Sequence, residues 1–257
     1  MKNGLVSVIM PAYNAAHYIE AAIDSVRSQS YTDWELIIVD DASKDETHSI
    51  VEKIADSDER IRLYINEENA GVLVTRARAV SYAKGEWIAI LDSDDKWTTD
   101  KLEKQLERQR RTQAELIYTA SAFIDENDDT LDYVLHAPET ISYRRLLKQN
   151  LISNSSVLVK RELYLKYMLK ENAGLIHEDF ACWLNMLKNG IKAVGIDEPL
   201  LIYRITKSSK SGNKKKAAMM NWNTYRYCGL NLVASLYYMG WYMVKGVLKY
   251  RHLRKKS

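Results

Sequence analysis

Along the first hundred positions, apolar residues come in short unbroken runs separated by segments where they recur every third or fourth residue. Leu5–Met10 is one such run, rich in β-branched residues and closed by Pro11, and it predicts a buried strand. Ile19, Ala22, Ile23 and Val26 carry helical spacing over 18–28. Glu35–Val39 predicts a second buried strand, ending in Asp40-Asp41. Ser43 with Glu46 three residues on, followed by Ile50, Val51 and Ile54, predicts a capped helix. Ile61–Ile65 reads as a strand, Val72–Ala83 as a helix ended by Gly85, and Trp87–Leu91 as a strand running into Asp92-Ser93-Asp94-Asp95.

Strand and helix thus alternate four times. This is the signature of an α/β fold: a Rossmann-like, mainly parallel central sheet with helices on both faces. Open sheets of this kind bind ligands outside the carboxyl ends of their strands. Three polar clusters fall at those ends: Tyr13-Asn14, Asp40-Asp41 and Asp92–Asp95.

After Asp95 the alternation lapses. Lys101–Thr112 predicts a charged surface helix, Leu116–Phe123 a strand, and Leu131–Leu135 its partner across the turn at 125–129. A strand over 156–160, a helix over Phe180–Leu187, and two strands, Lys192–Ile196 and Leu200–Ile205, complete this half, with Pro199 between the last two. No Gly/Ser-rich linker divides it, so residues 1–206 read as one domain. A polar break at 207–213 then leads into a basic helical C-terminal extension, 207–257.

Composition adds little until charge is placed along the chain. Hydrophobic residues make up 46% and charged residues 28%, which excludes a disordered chain. Two cysteines, Cys182 and Cys228, give no disulfide framework and suit a reducing compartment. The first apolar run is too short for a signal-peptide core, so a cytoplasmic location is expected. The net charge of +3 hides a split: 13 of the 37 Lys and Arg lie between Arg204 and Ser257, where there is no Asp or Glu. The tail therefore suits an anionic partner.

The chemistry sits in the acidic body. Three carboxylates in the Asp92–Asp95 turn repel one another and call for a cation, and their hard oxygens suit Mg2+ or Mn2+ bridging to phosphates. The alternative is a solvated turn with one Asp capping a helix. Asp40-Asp41 offers acceptors for a ribose or a base N–H, or a helix cap. Gly71 permits a positive φ, and Arg76 on the following helix offers a cation to a phosphate or base, or is a plain surface arginine. His177-Glu178-Asp179 precedes a helix, where Asp179 is a candidate general base or an N-cap. There is no P-loop, Gly-x-Gly-x-x-Gly, nucleophile elbow or zinc pattern, and Cys182 reads as core.

Taken together, several stretches resemble a known family. They are Val8-Ile-Met-Pro-Ala-Tyr-Asn14, Leu36-Ile-Ile-Val-Asp-Asp-Ala-Ser43, Asn69-Ala-Gly-Val72 with Arg76, and Ala83–Trp97. His177-Glu-Asp179 with Trp183, and Asp197–Arg204, complete the set. The sequence is similar to the inverting glycosyltransferases of family 2, which have the GT-A fold, and within them to the bacterial group that builds teichuronic acid, capsule or O-antigen repeat units. The resemblance covers about residues 5–206. It implies transfer of a sugar from a nucleotide-sugar, UDP-linked by family habit, to a hydroxyl of a lipid-linked saccharide. It also implies roles: Pro11, Tyr13, Asp41, Arg76, Asp92 and Ser93 for the nucleotide-sugar, Asp94 and Asp95 for Mn2+ or Mg2+, and Asp179 as catalytic base. Ala77 departs from the family, where many members carry Asn. Two other classes stay open on residues alone. A nucleotidyltransferase would share the nucleotide domain but normally has a Gly-rich phosphate loop after its first strand. A polyanion- or nucleic-acid-binding protein would use the tail but leave the carboxylates unexplained, and the acidic body would repel phosphate.

The tail has an uncharged stretch, Tyr227–Val244, at the lower length limit for a bilayer span and too polar to favour one. Leu232, Leu236, Met239, Met243 and Val247 share one helical face. With Tyr and Trp nearby and a basic cluster at Arg251–Lys256, this predicts an interfacial helix on the inner face of an anionic membrane, or else a helix packed on the catalytic domain.

Overall fold

A computed structural model of the chain describes residues 4–169, 174–206 and 214–253. The first half follows the expected alternation: β1 (Val6–Ala12), α1 (Ile19–Arg27), β2 (Trp34–Asp40), α2 (Thr47–Ala55), β3 (Ile61–Ile65), α3 (Val72–Ser81) and β4 (Trp87–Ile90). Then come β5 (Lys96–Trp97), α4 (Lys101–Thr112), β6 (Leu116–Ile124), β7 (Thr130–Leu135), α5 (Tyr143–Lys148), β8 (Leu158–Lys160), α6 (Arg161–Tyr167) and α7 (Glu178–Lys188). The chain closes with β9 (Ala193–Arg204), α8 (Lys214–Tyr227) and α9 (Leu232–Leu253).

The strands form one sheet in the order β3-β2-β1-β4-β8-β6-β9-β5, with β7 added beside β6. The β3-β2-β1-β4 part is parallel, and β8 on β4 is the first antiparallel pair. Side chains alternate through β1 and β2, which is why their sequences are apolar throughout. Ile9, Ile37 and Val39 enter one core under α3, α5 and α7. Val8, Met10, Leu36 and Ile38 enter the other, under α1, α2 and α4. Substituting one of these positions by a charge would therefore break a core, not a surface.

Four expectations change. Pro11 does not end β1, which runs on to Ala12 paired with β2, past the last β1–β4 pair at Ile9–Ile90. Ser43 does not cap α2: its hydroxyl donates to Asp40, and α2 starts four residues later. The two strands expected around Pro199 are a single strand, β9, because the register against β6 shifts where Ala120 faces Pro199 and so accommodates the missing N–H. Packing draws no division at residue 207, since Tyr225 and Cys228 lie in the same core as Phe180 and Trp183. Among the described residues no helix is long and apolar enough to cross a membrane. The expected polar break at 207–213 and the last basic residues, 254–256, lie outside the described residues.

Candidate active site

The strand order reverses between β1 and β4, since β2 lies on one side of β1 and β4 on the other. A crevice opens there at the carboxyl ends. Its walls are tied together by short polar contacts. Asn14 accepts the Lys44 N–H at 2.8 Å and its own N–H reaches Ser43 Oγ at 2.9 Å, linking the β1 and β2 loops. Tyr13, one residue before, is 48% exposed and leaves a ring face toward solvent.

Asp41 sits inside this wall. Its carboxylate accepts the N–H groups of Ala70 and Gly71, each at 2.8 Å, and the Asn66 amide at 2.7 Å. Burial alone would raise its pKa, but these donors and Thr75 outweigh that and hold it below the usual carboxylate range. Gly71 has φ 82°, where a side chain would strain the backbone, and it leads directly into α3. Asp41 therefore shapes the turn that launches the Arg76 helix.

Arg76 is buried on α3, with Nη2 3.0 Å from Asp92 Oδ1. Burial disfavours its charge, yet Asp92, with Tyr164, Glu178 and Asp179 behind it, more than compensates and holds the pKa up. Asp92–Asp95 follows β4 as a tight turn, closed by Asp95 N–H to Asp92 O at 3.1 Å. Ser93 and Asp94 are half-buried in it. Asp94 is raised to about 6 by burial and by Asp92, with Arg204 opposing. Asp95, expected as a second metal ligand, lies deeper than Asp94. It is 1% exposed, its Oδ1 accepts the Arg204 backbone N–H at 2.9 Å, and burial with Asp94 and Asp92 raises its pKa well above the usual range.

Asp179 is the second residue of α7, not its cap; His177 holds the preceding position. It lines a cleft with Arg76, Leu73, Tyr164, Met168 and Glu178. Burial, then Glu178, raises its pKa, while His177, the Phe180 N–H and Arg76 pull the other way. The four acids beside this cleft converge. The Tyr203 phenol is pushed up by burial and then by Asp95, Asp92, Asp94 and Asp179 together.

The sequence reading missed the buttress behind the turn. Arg204 was counted with the basic tail, but it is buried: Nε donates to Asp94 O at 2.9 Å and Nη1 to Asp125 O at 3.0 Å, and its guanidinium lies 4.3 Å from the Tyr18 ring centre. Ser155 Oγ accepts the Asp92 N–H at 3.1 Å, and Trp97 Nε1 donates to Ser155 O at 2.8 Å. Asn154 donates to Asp92 Oδ1 at 3.4 Å. The signal available was only the position of Asn154–Ser156 just ahead of the apolar 157–159 run. Three buried polar atoms around the turn have no partner among the described residues: Arg76 Nε, Asp95 Oδ2 and Asn154 Oδ1. Such atoms are costly unless something completes them, and a bound ligand would.

Comparison with known proteins assigns the arrangement. Residues 7–169 match the model for glycosyl transferase family 2. The chain belongs to glycosyltransferase family 2. It is therefore a transferase enzyme, and the nucleotidyltransferase and binding-protein readings give way. It is 42% identical to TuaG of Bacillus subtilis, named for teichuronic acid biosynthesis, over 86% of this chain and 87% of that protein. It is 37% identical to WfgD of Escherichia coli, a UDP-Glc:alpha-D-GlcNAc-diphosphoundecaprenol beta-1,3-glucosyltransferase, over 97% of this chain and 96% of that protein. The GT-A fold is shared with S. aureus TarS 1-349 in complex with UDP-GlcNAc, at a TM-score of 0.73 and 18% identity, covering 91% of this chain and 70% of that one.

Proposed function

We propose that this family 2 enzyme moves a sugar from a UDP-sugar to a hydroxyl of a polyprenyl-diphosphate-linked saccharide, inverting the anomeric centre, at the inner face of the membrane. The observation that carries the reading is that Arg76, paired with Asp92 at 3.0 Å, lines one cleft with Asp179, so the acid turn after β4 stands beside the candidate base. WfgD and WfaP, both named for UDP-Glc and a diphosphoundecaprenol acceptor, support the substrate classes.

The roles follow from position. Tyr13 offers a ring for a base to stack on, and Pro11 borders it at the open end of β1. Asp41 acts through the 66–71 loop that it holds. Asp92, braced by Arg76, Asn154 and Ser155, faces the ribose and Ser93 lies beside it. Asp94 is the carboxylate left to meet a divalent ion. Asp95, turned inward, supports it.

The residues fit such an ion. Burial and Asp92 raise Asp94 to about 6, and Asp95 Oδ2 is buried without a partner among the described residues, so a hard divalent cation would relieve both. A mannosyltransferase from Pyrobaculum calidifontis with this fold is known in complex with GDP-Man and Mn2+, at a TM-score of 0.68. When bound, the ion neutralises the diphosphate as a leaving group. Asp179 takes the acceptor hydroxyl proton as the oxygen attacks, and its raised pKa makes it a stronger base than a free carboxylate. The excess proton leaves with Asp179, and the C1–O bond to the diphosphate breaks as the new glycosidic bond forms.

The test is a panel of UDP-glucose, UDP-GlcNAc, GDP-mannose and dTDP-glucose with Mn2+ and a polyprenyl-diphosphate GlcNAc acceptor. A product from a UDP-sugar with inverted configuration is expected. Product only from GDP- or dTDP-sugars, or with retained configuration, would overturn the reading.

A further inference from the structure

We propose that the outer face of α9 docks on an anionic lipid bilayer and that α8 carries this orientation to the base on α7. This deepens the reading above, which places the acceptor at such a surface. The sequence offers two alternatives for this helix, packed or interfacial; the structure packs one face on the enzyme and leaves the opposite face apolar and exposed.

The inner face is fixed to the enzyme. Ser235 is fully buried, the Tyr238 ring lies 6.1 Å from that of Tyr225, and the Asn221 amide donates to Met239 Sδ at 3.6 Å. Lys148 sits 4.8 Å from the Trp241 ring. The outer face is left open. Leu232, Val233, Leu236, Tyr237, Met243 and Val244 are each 55–77% exposed. At ~100° per residue they and Gly240 fill one continuous arc of roughly 140°, with no charge in it over residues 232–244. The expected stripe is thereby split: Met239 turns inward while Leu232, Leu236 and Met243 turn out.

A helix face of this width calls for a cover, and charge identifies it. From Ile205 to the end there are twelve Lys and Arg and no acid, while the rest of the chain has more acid than base. A second copy packed on this face would bring two basic segments together, whereas an anionic bilayer attracts them and accepts the apolar arc. Tyr and Trp supply the aromatic content of this segment, which suits the headgroup level.

Docking would reach the chemistry through His177. Its N–H donates to Thr224 Oγ1 at 2.9 Å and its Nε2 lies 3.1 Å from Ala217 O, so α8 grips the residue before Glu178-Asp179. A bilayer held by α9 is therefore linked to the position of the base.

The experiment is flotation of the full chain with vesicles of phosphatidylcholine and phosphatidylglycerol at three to one, and of phosphatidylcholine alone. Binding to the anionic vesicles, weakened at about 0.5 M NaCl, is expected. V233D/L236D/M243D should lower the bound fraction at least about tenfold, with circular dichroism and melting temperature unchanged. Leu236→Trp, a change without added charge, should add blue-shifted emission to that of the six tryptophans of the parent, and brominated lipid should quench this added emission. Flotation of the triple variant like the parent would overturn the proposal, as would Leu236→Trp emission that ignores vesicles. So would a parent dimer that the triple variant splits while neither floats. None of these readouts uses sugar transfer, so their failure is distinct from failure of the transferase reading.

Discussion

Two strand-end acid clusters look alike in the sequence and behave oppositely in the fold. After β2, Asp41 and Asp45 are held below the usual carboxylate range although burial works against it: Asn66, Ala70 and Gly71 donate to Asp41, and Thr47 and Ala16 to Asp45. After β4, Asp94 and Asp95 are raised by burial and by each other's neighbourhood, and Asp179 across the cleft is raised by burial and Glu178. The first cluster is satisfied by the protein and builds a wall. The second is left short of partners, and that shortage is what a cation and a substrate would relieve.

The contrast breaks if a change in either cluster acts like one in the other. The largest effect is expected for Asp94→Asn, which should lower transfer by about a thousandfold while the fold holds, because it removes a like charge along with a ligand. Equal loss of melting temperature and activity would place Asp94 with the wall. Chelation comes next: EDTA should lower transfer at least about a hundredfold and Mn2+ or Mg2+ should restore it. Turnover indifferent to chelator would remove the ion from the site.

Asp41→Asn should do the opposite of Asp94→Asn. Its buried carboxylate loses charge-assisted bonds to the 66–71 loop, at a cost of about 2–3 kcal/mol, and the change should lower the melting temperature by about 5–10 °C. A melting temperature within a degree of the parent would contradict the wall role. A smaller effect is expected of Asn154→Ala, a rise of a few-fold in the donor KM with kcat kept, since its carbonyl oxygen waits beside Asp92.

The two clusters should also separate on pH. The depressed Asp41 and Asp45 contribute stability that is complete above the unfolded carboxylate value, about 3.9, and lost as pH falls through their lower folded values. Asp179 has the reverse sign. Its stabilising contribution is complete below that value and lost as pH rises through its raised folded one, while its use as a base begins only there. The acid limb of kcat/KM should thus lie above pH 4 and acid unfolding below it. A single transition for both would merge the clusters.

The wall and the sheet were legible in the sequence because buried parallel strands must be apolar on both faces, and their polar ends then stand out. The second half was less so. α5 and α6 are short, and α6 begins in the residue directly after β8, so neither completes two helical turns. Pro199 reads as a break, and only the partner strand's register shift shows that it is not. Arg204 closes a stretch that the family resemblance marks, but its buried role is not legible there because its partners, Asp94, Asp95 and Asp125, lie about 80–110 positions away. The acids at Asp92–Asp95 and Asp179 were found by type and place, but which of them turn inward depends on those distant partners.

The most direct measurement is single-turnover transfer by Asp179→Asn at saturating donor, with UDP binding and melting temperature recorded on the same sample. Transfer should fall by about a hundred- to thousandfold while binding and stability are kept or slightly improved. Transfer at the parent rate would contradict the assignment of the unsatisfied cluster as the chemical one.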